Sequence, residues 1–305
     1  MKYGVWHDFR NPPRWHRPYD VLYRENLEQI AWADELGFDS VWLSEHHVTD
    51  EGYLPAVFPM LAAIAQRTTT MRIGSAILLG PFQHPIRFAE DVAVVDHLSG
   101  GRLEVGLGLG YRKAEFELLG VPVSERARRT DELVEVARRV WADGTVTPPP
   151  FQQPEPPFWI GGSTAAAARR AARLRCHFMP DAYVATDVLD VYRELSDGGE
   201  VSINPSVYVG EWDDVAEHFL YQYNRYREWG GERQLERAED LPRERYIVGS
   251  PEEVAAGVRA IVERTRCDRL FFWARPPGLA IDLANRSLEL FAKDVIPRVE
   301  TAART

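Results

Sequence analysis

Short apolar runs recur along the chain, separated by longer stretches of helical period. The runs are Lys2–Trp6, Ser40–Leu43, Arg72–Leu79, Arg102–Gly106, Pro157–Gly161, His177–Met179, Ile203–Val209 and Arg269–Ala274. Between them the apolar residues return every three or four positions. In Tyr23–Leu36, for example, Leu27, Ile30, Ala31 and Leu36 form a stripe, and Gly37 follows as a C-cap. Strands alternating with helices indicate parallel βαβ units, and about eight such units close a barrel. The expected fold class is α/β, a (β/α)8 barrel.

Two stretches depart from this rhythm. The proline-rich Gly144–Pro157 resembles a linker in composition. A cut there would leave two half-barrels with uncovered strand edges, so we read it as a surface excursion before the fifth strand. Glu211–Tyr246 is longer than a simple connection, which places an insertion between the seventh and eighth strands. There Trp212, Phe219, Tyr223 and Tyr226 fall at helical spacing. That pattern fits a helix packed on the barrel, or a lid over an apolar substrate.

The length of 305 residues suits one barrel domain spanning 1–305. A net charge of −10 argues against a nucleic-acid partner. Cys176 and Cys267 have neither disulfide-framework nor zinc spacing, and both read as buried thiols. The start of the chain lacks a signal-peptide pattern, and no apolar stretch reaches the roughly 20 residues of a membrane span. A cytoplasmic setting without membrane contact is expected.

Barrel chemistry gathers at the C-terminal ends of strands. Glu45-His46-His47 follows the second run. Two histidines beside a carboxylate suit acid–base work or a metal, but neighbouring strand residues face opposite ways, so no metal is assigned. Gly106, Gly108 and Gly110 end the fourth run, with Tyr111, Arg112 and Lys113 next. Such glycines allow backbone to approach a flat or phosphorylated ligand. Gly161-Gly162-Ser163-Thr164 ends the fifth run and opens an alanine-rich helix, which reads as a phosphate site or as an ordinary N-cap. Arg126, Arg128 and Arg129 crowd another helix start, where an anion or nearby carboxylates would balance them. Trp6, Tyr111 and Trp273 lie at strand ends and could wall an apolar pocket.

Taken in order, Gly37–His47, Arg72–Ile77 with His84-Pro85, Glu90–Arg102, Gly106–Gly120, Pro157–Thr164 and Val248–Val254 resemble the bacterial-luciferase-like family of flavin-dependent monooxygenases and F420-dependent oxidoreductases. The resemblance implies a catalytic role for His46, with Glu45 and His47 beside it. It implies a cis peptide at Ala76-Ile77 behind a flavin ring, and a phosphate turn at Gly162 and Ser163 aided by Arg126. Leu109 and Ala166 stand where luciferases carry a phosphate-contacting arginine and a threonine, and Arg112 or Lys113 could substitute. The implied activity uses reduced FMN from a separate reductase, with O2, to oxidise a small organic substrate. Alternatives are a coenzyme F420-dependent hydride transfer and a non-catalytic flavin-binding or partner subunit. A homodimer through Leu61–Ile64 and Phe88–His97 is also implied, although those apolar residues could equally cover the sheet.

Overall fold

Alternate residues of a strand face opposite ways, so each apolar run builds an outer layer under the helices and an inner layer inside the barrel. A computed structural model describes residues 1–302. Its strands are β1 (Lys2–His7), β2 (Ser40–Leu43), β3 (Arg72–Leu79), β4 (Leu103–Gly108), β5 (Phe158–Gly161), β6 (His177–Met179), β7 (Ser202–Ile203), β8 (Ser206–Val209), β9 (Tyr246–Gly249) and β10 (Arg269–Trp273). The first helices are α1 (Tyr19–Glu35), α2 (Val57–Ala65), α3 (Pro85–Ser99), α4 (Lys113–Leu118), α5 (Arg126–Ala142) and α6 (Ala165–Arg173). The chain continues through α7 (Thr186–Leu195), α8 (Trp212–Gly230), α9 (Pro251–Thr265), α10 (Ile281–Leu290) and α11 (Ile296–Ala302).

Eight parallel strands lie in the order β6-β5-β4-β3-β2-β1-β10-β7, and a bridge between Phe178 and Val201 brings β7 back to β6. The fold is therefore the (β/α)8 barrel. The seventh run, expected as one strand over Ile203–Val209, is two strands instead. Pro205 has no N–H to give to a ladder, so pairing stops at Ile203 and resumes at Ser206. β7 remains in the barrel, while β8 leaves it and pairs in parallel with β9. Glu211–Tyr246 holds α8 and two 3-10 turns, Ala238–Asp240 and Arg243–Arg245. In the proline-rich stretch, the Gln152 side chain donates to Asp96 on α3 at 2.7 Å and accepts from Arg72 on β3 at 3.0 Å. That stretch is thereby held against the barrel. Among the described residues no helix is long and apolar enough to cross a membrane.

The outer layer takes Val5, Val41, Ile73, Val105, Ile160 and Phe272 into one core with the helices. Leu61 and Ile64 of α2, and Phe88, Val92 and Val95 of α3, belong to that same core. The inner layer is different, because Trp6, Trp42, Ala76, Trp159, Met179, Phe271 and Trp273 form a separate cluster. Bulky indoles fit there because glycines face them. A Cβ on Gly74 would sit 2.7 Å from the Trp42 ring, and one on Gly4 would sit 2.3 Å from Ser40 Oγ.

Towards the lower end of the barrel, Glu104 on β4 has no exposed surface. Its carboxylate accepts from Arg72, from Arg269 Nη1 at 2.7 Å and from Trp159 Nε1 at 2.6 Å. The Arg269 guanidinium also lies 4.9 Å from the Trp159 ring. Removing Glu104 leaves the Trp159 N–H without its acceptor, while Arg269 keeps Glu200 and Arg72 is partly exposed. Glu104→Ala is therefore expected to lower unfolding free energy by about 1–3 kcal/mol in urea titrations, the cost of a buried group left unpaired; no measurable loss would contradict the role of this carboxylate.

Candidate active site at the barrel mouth

The loops that follow β1, β2, β3 and β4 meet at the C-terminal end of the barrel, and α8 lies across them. His46, just after β2, is buried, and its Nδ1 lies 2.8 Å from Oε1 of Glu115 on α4. The same carboxylate oxygen accepts from His47 N at 2.9 Å and from Arg112 Nη1 at 3.3 Å. Burial pushes the His46 imidazole below its ordinary pKa, while Glu115 pulls the other way. Glu115 is itself held below the usual carboxylate range, since burial is outweighed by its bonds to His46 and the His47 amide and by Arg112. The pair is thus a neutral imidazole against a carboxylate. Nδ1 carries the proton and donates it, leaving Nε2 as the bare nitrogen.

Glu45 and His47 do different work. Glu45 Oε2 accepts from Leu79 N at 2.5 Å, and Glu45 Oε1 lies 3.1 Å from His47 Nε2, which ties the β2 loop to β3. Burial lowers the His47 pKa, but the adjoining Glu45 carboxylate overcomes it and the net direction is upward. His46 packs against three aromatic rings of the mouth, Tyr53 at 4.8 Å, Trp229 at 4.9 Å and Tyr111 at 5.7 Å between ring centres, whereas His47 meets Phe82 at 6.0 Å.

A cavity of about 460 Å³ opens at the mouth. Trp6, Tyr111 and Trp273, singled out from sequence as pocket walls, all line it, with Tyr226 of α8 opposite. The Trp6 and Trp273 rings stack at 4.1 Å and 21°. Their N–H groups are anchored, Trp6 to Ser44 Oγ at 2.9 Å and Trp273 to Asp8 Oδ2 at 2.9 Å. Burial raises the Asp8 pKa to about 6 against the pull of Arg10.

Beside the cavity the Ala76–Ile77 peptide bond is cis. The glycines expected to admit a ligand make room for Ile77. A Cβ on Gly108 would lie 2.5 Å from Ile77 Cδ1, and one on Gly161 would lie 2.2 Å from it. Gly162 has φ of +133°, where glycine is favoured, and exposed Ser163 and Thr164 follow it to the start of α6. Thr164 Oγ1 accepts from Ala167 N, an N-cap, and Ser163 Oγ accepts from Asp181 N at 3.0 Å. Asp181 lines the cavity, so this turn adjoins it. Arg126 donates to Gly110 O at 3.0 Å, and Arg128 and Arg129 pair with Glu125. Arg112 is buried, donating to His47 O at 2.6 Å and lying 4.2 Å from the Trp229 ring. Its charge serves the protein's own groups. Among the described residues no cluster of three or more potential metal ligands converges.

Sequence reasoning missed the groups that hold α8 in place. Arg10 and Glu51 are buried, and Arg10 Nη2 donates to Glu51 Oε1 at 3.0 Å. Tyr221 of α8 donates to Glu51 Oε2 at 2.7 Å, and Arg225 of α8 pairs with Asp50. The Arg10 guanidinium lies 5.3 to 5.8 Å from the rings of Tyr53, Tyr221, Tyr226 and Trp229.

A buried histidine–carboxylate pair at the mouth of a (β/α)8 barrel, beside an aromatic cavity, defines an enzyme-like centre of the barrel class. The luciferase-like monooxygenase family model matches residues 1–269, and the chain belongs to that family. An uncharacterized protein, y4vJ of Sinorhizobium fredii, is 29% identical over 52% of this chain and 49% of its own, so the match spans about half that relative's length. The oxygenase component of a flavin-dependent trigonelline monooxygenase of Acinetobacter baylyi is 23% identical over 90% of this chain and 89% of its own. Among solved structures, monooxygenase RslO1 from Streptomyces bottropensis superposes with a TM-score of 0.86 at 25% identity, over 97% of this chain and 99% of that one. The same fold occurs in the oxygenating constituent of 3,6-diketocamphane monooxygenase of Pseudomonas putida, in complex with FMN (TM-score 0.80, 17% identity, 98% of each chain). It occurs also in an F420-dependent secondary alcohol dehydrogenase (TM-score 0.74, 19% identity, 98% of each chain).

Two expectations follow from this geometry. Removing the Glu115 charge favours the neutral ring, so Glu115→Gln should move the His46 pKa further down, as read from its ring-proton NMR titration. As pH falls below 6.5 the unfolded chain binds a proton at His46 before the folded one does, so stability declines there and declines more steeply in the variant. An upward shift would contradict the pairing. Gly161→Ala should cost about 1–3 kcal/mol through its clash with Ile77, and adding Ile77→Ala should restore part of that in a double-mutant cycle.

Proposed function

We propose that the protein is a flavin-dependent monooxygenase that takes reduced FMN from a separate reductase and uses O2 to oxidise a small organic substrate. The observation that carries this reading is the His46–Glu115 pair at 2.8 Å beside a walled cavity in a chain of this family. The residues present suit the cofactor. Ala76 and Ile77, backed by Gly108 and Gly161, would support its ring. Gly162, Ser163 and Thr164, with the Ala165 and Ala166 amides at the start of α6, would hold the phosphate, and Arg126 stands at the start of α5. The flavin supplies the oxygen chemistry when bound.

The protein's share is placement and proton control. His46 Nε2 is the bare nitrogen, able to accept a hydrogen bond or a proton at the reacting centre, while Glu115 fixes the ring through Nδ1. The indoles of Trp6 and Trp273 and the rings of Tyr226 and Trp229 keep water from the mouth. The exposed Val94 and Leu98 on α3 support pairing with a second copy along that helix.

The test is anaerobic titration of the purified protein with reduced FMN and with reduced F420, followed by oxygen. We expect reduced FMN to bind and to be reoxidised by oxygen at a rate different from that of free FMN. Binding of F420 alone, with oxygen causing no change, would assign hydride transfer instead. In the same assay His46→Ala should slow the oxygen-dependent step by about 10²-fold or more while FMN affinity changes little; an equal loss of affinity would make His46 a binding residue.

A further inference from the structure

We infer that the mouth cavity takes a neutral, planar aromatic substrate bearing hydroxyl or carbonyl oxygens, an inference that rests on reading this cavity as the substrate site. Its volume of about 460 Å³ lies within the usual range for small-molecule sites. Three properties of its wall define the occupant.

The first is flatness held in place. Trp6 and Trp273 stack on one another, and each indole N–H is tied to a buried partner, Ser44 or Asp8. Tyr226 and Tyr246 face the same space. Fixed aromatic faces gain most from a ring that lies along them, because offset stacking adds to burial and the ring has no chain entropy to lose.

The second is hydrogen-bonding capacity open to a ligand. Asn204, Ser206 and Gln222 line the cavity and are half-buried. Among the described residues none of these three side chains has a protein hydrogen-bond partner, so each is free to meet water or a ligand. Asn204 and Ser206 flank Pro205 between β7 and β8, and Gln222 comes from α8, so donors and acceptors reach the ligand from two elements. A hydrocarbon or a plain alkyl chain would strip water from all three and return nothing. Ring oxygens would satisfy them. Gln222 and Tyr226 stand one helical turn apart on α8, which puts a polar contact and an aromatic contact on one face of the roof.

The third is charge. The two arginines of the wall already have partners, Arg227 with Glu232 at 3.0 Å and Arg245 with Asp181 at 3.6 Å. The cavity presents balanced charge, which suits a neutral ligand better than a carboxylate or phosphate.

Isothermal titration of the full chain without flavin tests this, using 2,7-dihydroxynaphthalene, naphthalene and decanal as probes. The diol is expected to bind at least about tenfold more tightly than either of the others. Asn204→Leu and Gln222→Leu should each reduce that preference by about tenfold while leaving naphthalene affinity unchanged, which also reports that the cavity is intact. Equal binding of diol and naphthalene, tightest binding of decanal, no binding of any probe, or a preference untouched by both variants would overturn the inference. Reduced FMN is titrated separately into the same preparations. FMN binding without diol preference removes the substrate class alone, whereas failure to bind FMN removes the functional reading and the inference with it; loss of diol binding in FMN-saturated protein would assign the cavity to the flavin ring and also overturn the inference.

Discussion

A fully buried carboxylate organises the lower half of the barrel. Glu104 draws Arg72 of β3, Arg269 of β10 and Trp159 of β5 onto β4, so four of the eight strands answer to one charge. Any slip of register would separate these groups and leave unpaired charge inside. Above that layer the space goes to indoles set against glycines, Trp42 over Gly74 above all. At the mouth, between Trp6, Trp273 and α8, the barrel leaves room for another molecule. The cavity exists because everything beneath it is filled.

The mouth depends on two further buried carboxylates, each joining segments distant in sequence. Glu115 binds His46, the His47 amide and Arg112, and thereby makes one rigid unit of the β2 and β4 loops. Glu51 binds Arg10 and Tyr221, and thereby holds α8 to the β1 and β2 loops. The first sets the protonation of the imidazole, and the second sets the height of the roof above it. The placement of the imidazole and the enclosure of the mouth thus have separate supports, which meet where the Trp229 ring packs against both His46 and Arg112.

Much of this was legible in the sequence, for reasons that can be named. Strand runs such as Arg72–Leu79 stood out because barrel strands are buried on both faces and read as continuous apolar segments. His46 stood out because it follows such a run directly. Glu115 did not, because it lies 69 residues from His46 and reads as one more acidic residue on a helix. Its signal was its place within a turn of Gly110, just after the fourth strand, three positions from Arg112. The break at Pro205 is readable from its missing N–H, although the apolar run on either side of it reads as one long strand. The glycines at 108 and 161 read as places where a ligand could approach the backbone. What fills that space is an isoleucine from β3, a contact no spacing rule foretells.

The parallel pairing of β8 and β9 has a consequence beyond architecture. Parallel neighbours need a crossover, and α8 is that crossover. The roof over the mouth is therefore fastened at both ends to a small sheet outside the barrel ring. Gln222 can be exchanged by the rules that govern any helix face, whereas Tyr226 packs on the inner cluster with Trp6 and Trp273 and ties the helix to the barrel strands. Diversification of what the mouth accepts becomes a matter of rewriting a few letters along one anchored helix, while Tyr221 and Arg225 keep it fastened and the barrel below stays as it was built.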